Sequence, residues 1–320
     1  MTQNLYTPEA IDPTAIRKRV LSAIAANRTP GFHFPGYFLD MSWPRLNAQG
    51  VEQAMQIGTH CIDVNGVIHP AAVGVMVDGA LSMTPRLSSE AVPGARQATV
   101  HIDLQYTGHE PRGALRMEAT LDGFMTGHGV RQAYTRGVLT SDGQPICHAT
   151  GAFVVLPPPP GVKLAPLPWQ RESTPAAPLL KQSDLELQER AVVRAANRAM
   201  KLSDSTHSFI EHFWDIMPRQ IAGGATCRVK IGQQIGNRVG HVQGGILLGI
   251  AQAAACAAVP SHPKISNISA WYVSPGNGKA LTARSKVIHA GRSFAVVRTE
   301  VKNADGSRVL EAVSNHTTRA

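Results

Sequence analysis

The chain has 320 residues, of which 43% are hydrophobic and 17% charged, so it is long enough for two globular domains that each bury a core. A formal net charge of +9 favours anionic ligands, but the basic residues stand singly and only 5% of residues are aromatic. This pattern argues against a nucleic-acid interface. A phosphorylated small molecule is an anionic ligand that fits the diffuse positive charge equally well.

We expect neither a membrane span nor a signal peptide. No apolar run approaches the roughly 18 residues of a transmembrane helix, and the first ten residues are polar and acidic. Four cysteines without C-x-x-C spacing are typical of reduced thiols in a cytoplasmic protein: Cys61, Cys147, Cys227 and Cys256. His207 and His212 lie outside any H-E-x-x-H motif, so we predict no metal site and no cofactor.

The first half of the chain predicts a helix, a short strand, a second helix and a run of strands. Asp12 is a plausible N-cap, with Pro13 at the first helical position. An aromatic loop and a strand at 52–58 precede an apolar helix at 69–83. Three or four strands follow, and Asp142-Gly143 is typical of a hairpin turn.

A proline-rich stretch then divides the chain. Residues 157–160 are four prolines, and proline fixes its own φ and donates no backbone hydrogen bond. We therefore predict a domain at 1–160, a linker at 161–182 and a second domain at 183–320. Ser183 to Glu186 resembles a capping box ahead of a helix to about residue 200. The rest of the second domain is predicted to contain a strand at 226–232, an apolar helix at 243–258 and strands at 268–273, 281–289, 293–301 and 309–317.

The two halves repeat one another in sequence. Ile57-Gly58 matches Ile231-Gly232, 174 positions later, and without gaps the same offset pairs Asp63 with Asn237, Gly66 with Gly240, His69 with Gln243, and Asp78 with Gln252. Phe34, Phe38 and Asp40 match Phe209, Phe213 and Asp215, and Ala25 to Arg28 match Ala195 to Arg198. Downstream, Ala114-Leu115 matches Ala280-Leu281, and Asp142-Gly143 matches Asp305-Gly306 after three extra residues in the first copy. An ordered series of this length indicates a duplicated domain.

A helix followed by antiparallel strands predicts an α+β domain with the helix packed on one face of the sheet. The segment from Gly240 to Gly249, with Gly244-Gly245 at a helix start, resembles the central helix of hotdog-fold acyl-CoA thioesterases of the PaaI-like superfamily. The strand pattern around Tyr272 to Pro275, and from His289 to Ser293, is also similar to theirs. The resemblance implies two fused hotdog domains, each a curved antiparallel sheet wrapped around a central helix, forming a pseudo-dimer.

The resemblance also implies a site. In the family an asparagine six residues before a histidine, and the backbone N–H after that histidine, polarise the thioester carbonyl. A carboxylate nine residues after the histidine, supplied by the partner domain, activates water or attacks directly. The second copy has Asn237 and Gly244 for the first task, but Gln243 in the histidine place and Gln252 in the carboxylate place. Gln243, Gly245 and His241 are predicted to bind substrate.

The first copy is complementary. It has Asp78 at the carboxylate place, but Asp63 replaces the asparagine, and Pro70 after His69 has no N–H to donate. One composite site therefore remains, in which Asp78 faces Asn237 and Gly244. The degenerate counterpart consists of Asp63, His69, Pro70 and Gln252.

The predicted function is hydrolysis of an acyl-CoA thioester to a carboxylic acid and free coenzyme A. One alternative is a non-catalytic acyl-CoA binding protein. Another is a hotdog enoyl-CoA hydratase, whose D-x-N-P-x-H motif fails here because Asp63 and His69 are six apart and Gly66 replaces the proline. Further pairing of such chains into a homo-oligomer stays open. The aromatic residues of the two early loops are expected to cover one end of the core, and such a flap could line an acyl tunnel: Phe32, Phe34, Tyr37, Phe38, Trp43, Phe209, Phe213 and Trp214.

Overall fold

The computed structural model describes residues 11–29, 31–88, 90–91, 95–127, 130–156, 166–167, 180–262 and 264–318. Of the predicted linker 161–182, only 166–167 and 180–182 are among them, and the proline run 157–160 lies outside the described residues. The linker and the exact domain boundaries therefore stay predictions.

The N-terminal half contains three helices and six strands within the described residues. In chain order they are α1 (Pro13–Asn27), α2 (Phe34–Phe38), β1 (Ser42–Asn47), β2 (Gly50–Met55), α3 (Pro70–Leu87), β3 (Arg96–Tyr106), β4 (Leu115–Gly127), β5 (Val130–Ser141) and β6 (Gln144–Leu156).

The C-terminal half repeats this order. Its elements are α4 (Leu187–Leu202), α5 (Phe209–Trp214), β7 (Arg219–Ile221), β8 (Gly224–Lys230), α6 (Gly244–Ala258), β9 (Lys264–Tyr272), β10 (Ala280–Ala290), β11 (Phe294–Asn303) and β12 (Arg308–Thr317). The longer hairpin formed by β4 and β5 accounts for the extra residues of the first copy.

The described strands form one antiparallel sheet of 12 strands, in the order β1-β2-β4-β5-β6-β3-β9-β12-β11-β10-β8-β7. The second half of this order repeats the first in reverse, so the two halves are related by a pseudo-twofold axis. The axis passes between β3 and β9, where Asp103 lies opposite Ser269. Pairing these central strands removes one exposed edge from each half-sheet.

The two long apolar helices, α3 and α6, lie side by side on the concave face of the sheet. They approach so closely that a Cβ at Gly74 would lie 2.3 Å from the Gly245 carbonyl oxygen, and one at Gly249 would lie 2.2 Å from the Ala71 Cα. Glycine at these positions lets the backbones touch. The N-terminus of each helix thereby comes to lie beside the middle of the other.

The early aromatic residues join the two halves. Phe38 packs against Phe213 with ring centroids 4.9 Å apart and against Phe209 at 6.3 Å, and all three rings are fully buried. Trp214 lies in the same cluster, 6.4 Å from Phe38. These residues form core between the halves, whereas Phe32 lines the cavity described below. An ion pair from Arg28 to Glu189, with two contacts of 2.7 Å, links α1 to α4.

Local backbone geometry repeats with the sequence. Asp40 and Asp215 both adopt the left-handed conformation, with φ of 54° and 59°. Asp215 is the C-cap of its short aromatic helix, and Asp40 follows Leu39, the C-cap of the other. The Asp12 cap of α1 is confirmed by a 2.8 Å bond from the Thr14 N–H.

One predicted helix start was wrong. The cap of α4 is Glu186, with Glu189 completing a capping box, and not Ser183, because residues 182–184 form a separate 3-10 turn. None of the described helices is both long and apolar enough to cross a bilayer.

Candidate active site

A cavity of about 550 Å³ lies at the junction of the two halves. Its wall combines α3, the start of β3 and the end of β6 from the first half with the loop before α6 and the end of β9 from the second. Asp78, Asn237, Gly244, Gln243 and His241 all line it. The structure therefore brings together most of the residues assigned to the composite site from sequence.

Asp78 is the buried carboxylate of this cavity. Its Oδ1 accepts a 2.8 Å hydrogen bond from the Thr99 hydroxyl, and its Oδ2 accepts one of 2.7 Å from the Gln243 side-chain amide. The backbone N–H of Gly245 also donates to it. Burial raises the pKa of the Asp78 carboxyl to about 6, although these donors act in the opposite direction. The side chain is therefore mostly ionised at neutral pH and about half-protonated near pH 6.

Gln243 connects this carboxylate to the N-terminus of α6. Its Oε1 accepts a 3.0 Å bond from the Ile246 N–H and so caps the helix, which leaves its Nε2 as the donor to Asp78. The side chain is buried. In this structure Gln243 holds the carboxylate, and its predicted contact with substrate stays untested. Gly245 packs against Gly74 at the helix crossing, and His241 is a half-buried residue of the cavity wall.

The first residue of α6, Gly244, lies directly on the carboxylate. A Cβ at this position would be 2.9 Å from Asp78 Oδ2. Its N–H belongs to the first turn of the helix, where backbone donors lack intrahelical partners and the helix dipole favours negative charge. The Tyr272 hydroxyl donates to the Gly244 carbonyl at 3.0 Å and fixes this peptide from the other side.

Asn237 shapes the loop before α6. Its Oδ1 accepts hydrogen bonds of 3.0 Å from the N–H groups of Val239 and His241. Asp63 does the same in the first copy, accepting from Asn65 at 2.8 Å and Val67 at 3.0 Å. The oxygen of Asn237 is therefore occupied by turn geometry, and only its Nδ2 group can face a ligand.

The counterpart location is built differently. Gln252 Oε1 accepts a 3.1 Å bond from the Tyr106 hydroxyl, and its Nε2 is buried without a hydrogen-bond partner. The caps differ too, because His69 uses its Nδ1 to accept the Ala71 N–H at 3.2 Å and Pro70 follows as the first helical residue. Burial lowers the pKa of His69 to about 4, so this ring is neutral. Neither a carboxylate at position 252 nor a backbone donor at position 70 is present here.

Several residues of the cavity were not predicted from sequence. Thr99 and Tyr272, which hold Asp78 and Gly244, come from the two central strands and have no local motif. Three arginines also line the cavity: Arg86 of α3, Arg96 of β3 and Arg238 of the loop before α6. Within the described ranges, no group of three His, Cys, Asp or Glu residues is placed to hold a metal ion.

Two fused halves, each with a sheet curved around one helix, and a cavity lined by residues of both halves define a double-hotdog protein. Residues 233–317 match the family model described as the acyl-CoA thioesterase N-terminal domain. The match begins just before Asn237 and runs through α6 to the end of β12. No curated protein matches the chain.

Solved structures resemble the chain over most of its length. A protein provisionally described as a thioesterase from Novosphingobium aromaticivorans is 12% identical, with 87% of this chain and 98% of that one covered and a TM-score of 0.51. A protein provisionally described as an oleoyl thioesterase from Lactobacillus plantarum is 13% identical, with 83% and 94% covered and a TM-score of 0.51. At this identity the likeness shows the fold.

The predicted α+β fold of two hotdog domains is thus confirmed. Within the C-terminal half, residues 233–317 are similar to the acyl-CoA thioesterase N-terminal domain.

Proposed function

We propose that the protein hydrolyses acyl-CoA thioesters at one composite site between its two halves. The observation that carries this proposal is the direct contact of the buried Asp78 carboxylate with the first turn of α6 from the other half. The family match of residues 233–317 supports the reaction class. Asp78, Asn237 and Gly244 are the proposed catalytic residues.

Asp78 is the proposed general base. A carboxylate offers about four acceptor positions, and Thr99, Gln243 and the Gly245 N–H use three, so one is left for a water molecule. As the water oxygen attacks the thioester carbonyl carbon, its proton passes to Asp78. The C–S bond then breaks, the thiolate takes that proton from Asp78 and leaves as coenzyme A, and the acyl group leaves as a carboxylic acid. A pKa of about 6 suits this role near neutral pH.

The attack places negative charge on the carbonyl oxygen. The Gly244 N–H, at the positive end of α6, and the Asn237 side-chain amide are the proposed donors to it. Donors of this kind are worth about 3–4 kcal/mol each in comparable sites. At the counterpart location Pro70 has no N–H and Gln252 cannot act as a base at ordinary pH, so one active site per chain follows.

The test is thiol release from a panel of acyl-CoA esters, with the wild-type protein beside Asp78→Asn and Gln252→Ala. Gln252→Ala is the matched control, because it alters the pseudo-symmetric position on α6. We expect Asp78→Asn to lower kcat at least about 100-fold, the smallest usual effect of removing a general base, while Gln252→Ala stays within about twofold.

The result that overturns catalysis is binding of acyl-CoA without thiol release by the wild-type protein, which would identify an acyl-CoA binding protein instead. Equal losses in the two variants would overturn the single composite site. Circular dichroism of both variants separates these outcomes from misfolding.

A further inference from the structure

We propose that Arg86 and Arg238 form an anion subsite in the cavity, and that the preferred acyl groups end in a carboxylate. This inference rests on the proposed function, since it names the substrate class of the same site. It starts from the charges on the cavity wall, which the reaction itself does not use.

Among the described residues, three guanidinium groups and one carboxylate line the cavity. Arg86, Arg96 and Arg238 line it together with Asp78, and burial keeps His33 neutral by lowering its pKa to about 3. Within the described residues the side chains of these three arginines make no ion pair and no hydrogen bond, whereas Arg28, Arg112 and Arg131 each pair with a glutamate. The Nε of Arg96 is buried and has no hydrogen-bond partner in the part of the chain that the structure describes.

The positive charges of Arg86 and Arg238 also repel one another. Burial lowers the pKa of Arg86 to about 9, the nearby charge of Arg238 lowers it further, and Asp78 acts in the opposite direction. Burial likewise lowers the pKa of Arg238. Uncompensated charge of one sign in a partly enclosed space is costly unless a counter-ion binds there.

Asp78 does not fill that role. Its oxygens already accept from Thr99, Gln243 and the Gly245 N–H, and it forms no ion pair within 4.0 Å among the described residues. Arg86 follows Asp78 by eight residues on α3, which corresponds to about 12 Å along the helix axis. Side chains on a helix lean toward its N-terminus, so the guanidinium of Arg86 is directed back toward the reacting centre.

A carboxylate on the acyl group fits this arrangement. The planar guanidinium matches a carboxylate with two parallel hydrogen bonds. The reacting carbonyl lies at Asp78 and Gly244 in the proposed function, and the rest of the wall is mainly apolar, with Met83, Val154 and Leu247 among its residues. An acyl chain that starts at the carbonyl and follows α3 would carry its far end to the arginines.

The phosphates of coenzyme A are the other source of an anion. The experiment separates the two sources by comparing matched thioesters, glutaryl with valeryl, each attached to coenzyme A and to N-acetylcysteamine, which has no phosphate. The proteins are wild type, Arg86→Gln, Arg238→Gln and Arg292→Gln. Arg292 is an exposed arginine outside the cavity and serves as the charge-matched control.

We expect the wild-type protein to prefer glutaryl to valeryl esters on both carriers. Arg86→Gln and Arg238→Gln are each expected to lower kcat/KM for glutaryl esters at least tenfold, with valeryl esters changed less than about threefold and Arg292→Gln without effect. A loss shared by glutaryl-CoA and valeryl-CoA, but absent on N-acetylcysteamine, would assign the arginines to the phosphates and overturn the proposal. Preference for valeryl esters in the wild type would also overturn it.

Binding separates this inference from the hydrolysis itself. In the Asp78→Asn background, calorimetric titration should show tighter binding of glutaryl-CoA than of valeryl-CoA, and Arg86→Gln should abolish that difference. If no thioester is cleaved but this charge preference persists, the proposed function fails and the anion subsite stands. If esters are cleaved and no preference appears in either assay, the subsite fails and the proposed function stands.

Discussion

Asp78 has three hydrogen-bond donors and still has a raised pKa, because burial outweighs them. Ionisation of this carboxyl is therefore sensitive to each donor. Among the contacts that lower the pKa of Asp78, the hydrogen bond from Thr99 has the largest effect, and Thr99 comes from β3, away from the helix termini. The hydroxyl of Thr99 is thus a means of setting the pH range in which Asp78 can accept a proton.

A pH profile of kcat/KM tests this dependence. The proposed base works only when ionised, so activity should be present above about pH 6 and fall as the pH drops through that value. Thr99→Val removes a hydrogen bond that favours the charged form, and should move this acidic limb upward by about one to two pH units, because a bond to a charged group is worth about 1.5–3 kcal/mol. Thr135→Val, which removes a buried hydroxyl elsewhere, is the control. An unmoved limb in Thr99→Val would exclude Asp78 as the titrating group.

The counterpart location gives a second expectation at the scale of single residues. Gln252→Asp supplies a carboxylate there, but Pro70 still has no N–H and the Asp63 oxygen remains occupied by its turn. In the Asp78→Asn background, Gln252→Asp should therefore restore no thiol release. Recovery of activity in the double variant would show that the counterpart location lacks only its base.

At the scale of elements, the site depends on how closely α3 and α6 approach. The contact between Gly74 and Gly245 brings the first turn of α6 to the carboxylate on α3. Both helices are almost wholly apolar, since each is buried between the sheet and the other helix. A larger residue at the crossing would separate the two halves of the site.

Gly74→Ala measures the importance of this crossing. Its Cβ would lie 2.3 Å from the Gly245 carbonyl oxygen, so the helices must move apart. Overpacking of this kind typically costs about 1–3 kcal/mol, and we expect a loss of that size in the free energy of unfolding by urea, with a parallel loss of activity. Gly127→Ala, where no atom lies within 4 Å of the added Cβ, is the control. Equal stability of Gly74→Ala and wild type would contradict the observed packing.

Elements also show what sequence could and could not predict. The caps, the apolar helices and the long strands follow local rules, and the duplication made each half a check on the other. The edge strands were not predicted, because β7 is exposed throughout and β1 contains Pro44, which a sheet tolerates mainly at its edge. Asp78 and Gly244 were predicted as site residues from the family resemblance, applied to both copies of the repeat. Thr99, Tyr272 and the three arginines were not, because only the folded chain brings distant strands and loops to one cavity.

At the scale of the whole molecule, the two halves share one core. The aromatic cluster around Phe38 and Phe213, the pairing of β3 with β9 and the ion pair between Arg28 and Glu189 all cross between them. Each half by itself would leave its side of these contacts exposed to solvent. The halves should therefore unfold together, although the chain is long enough for two independent domains.

Differential scanning calorimetry tests this coupling. We expect one transition whose calorimetric and van't Hoff enthalpies agree, and Phe38→Ala should lower the midpoint of that whole transition, because loss of a buried phenyl ring costs about 3–5 kcal/mol. Leu202→Ala, which truncates an exposed side chain, should leave the midpoint nearly unchanged. Two transitions, with Phe38→Ala affecting one alone, would show that the halves fold independently.

The central pairing of β3 with β9 joins two parts of one polypeptide. Assembly of the site is therefore an intramolecular event, governed by a fixed effective concentration and not by the amount of protein in solution. Specific activity should hold constant on dilution far below the range in which a dimer of separate subunits would dissociate. For the same reason, two chains inactivated in opposite halves should not complement each other when mixed, since neither can exchange its defective half for a sound one.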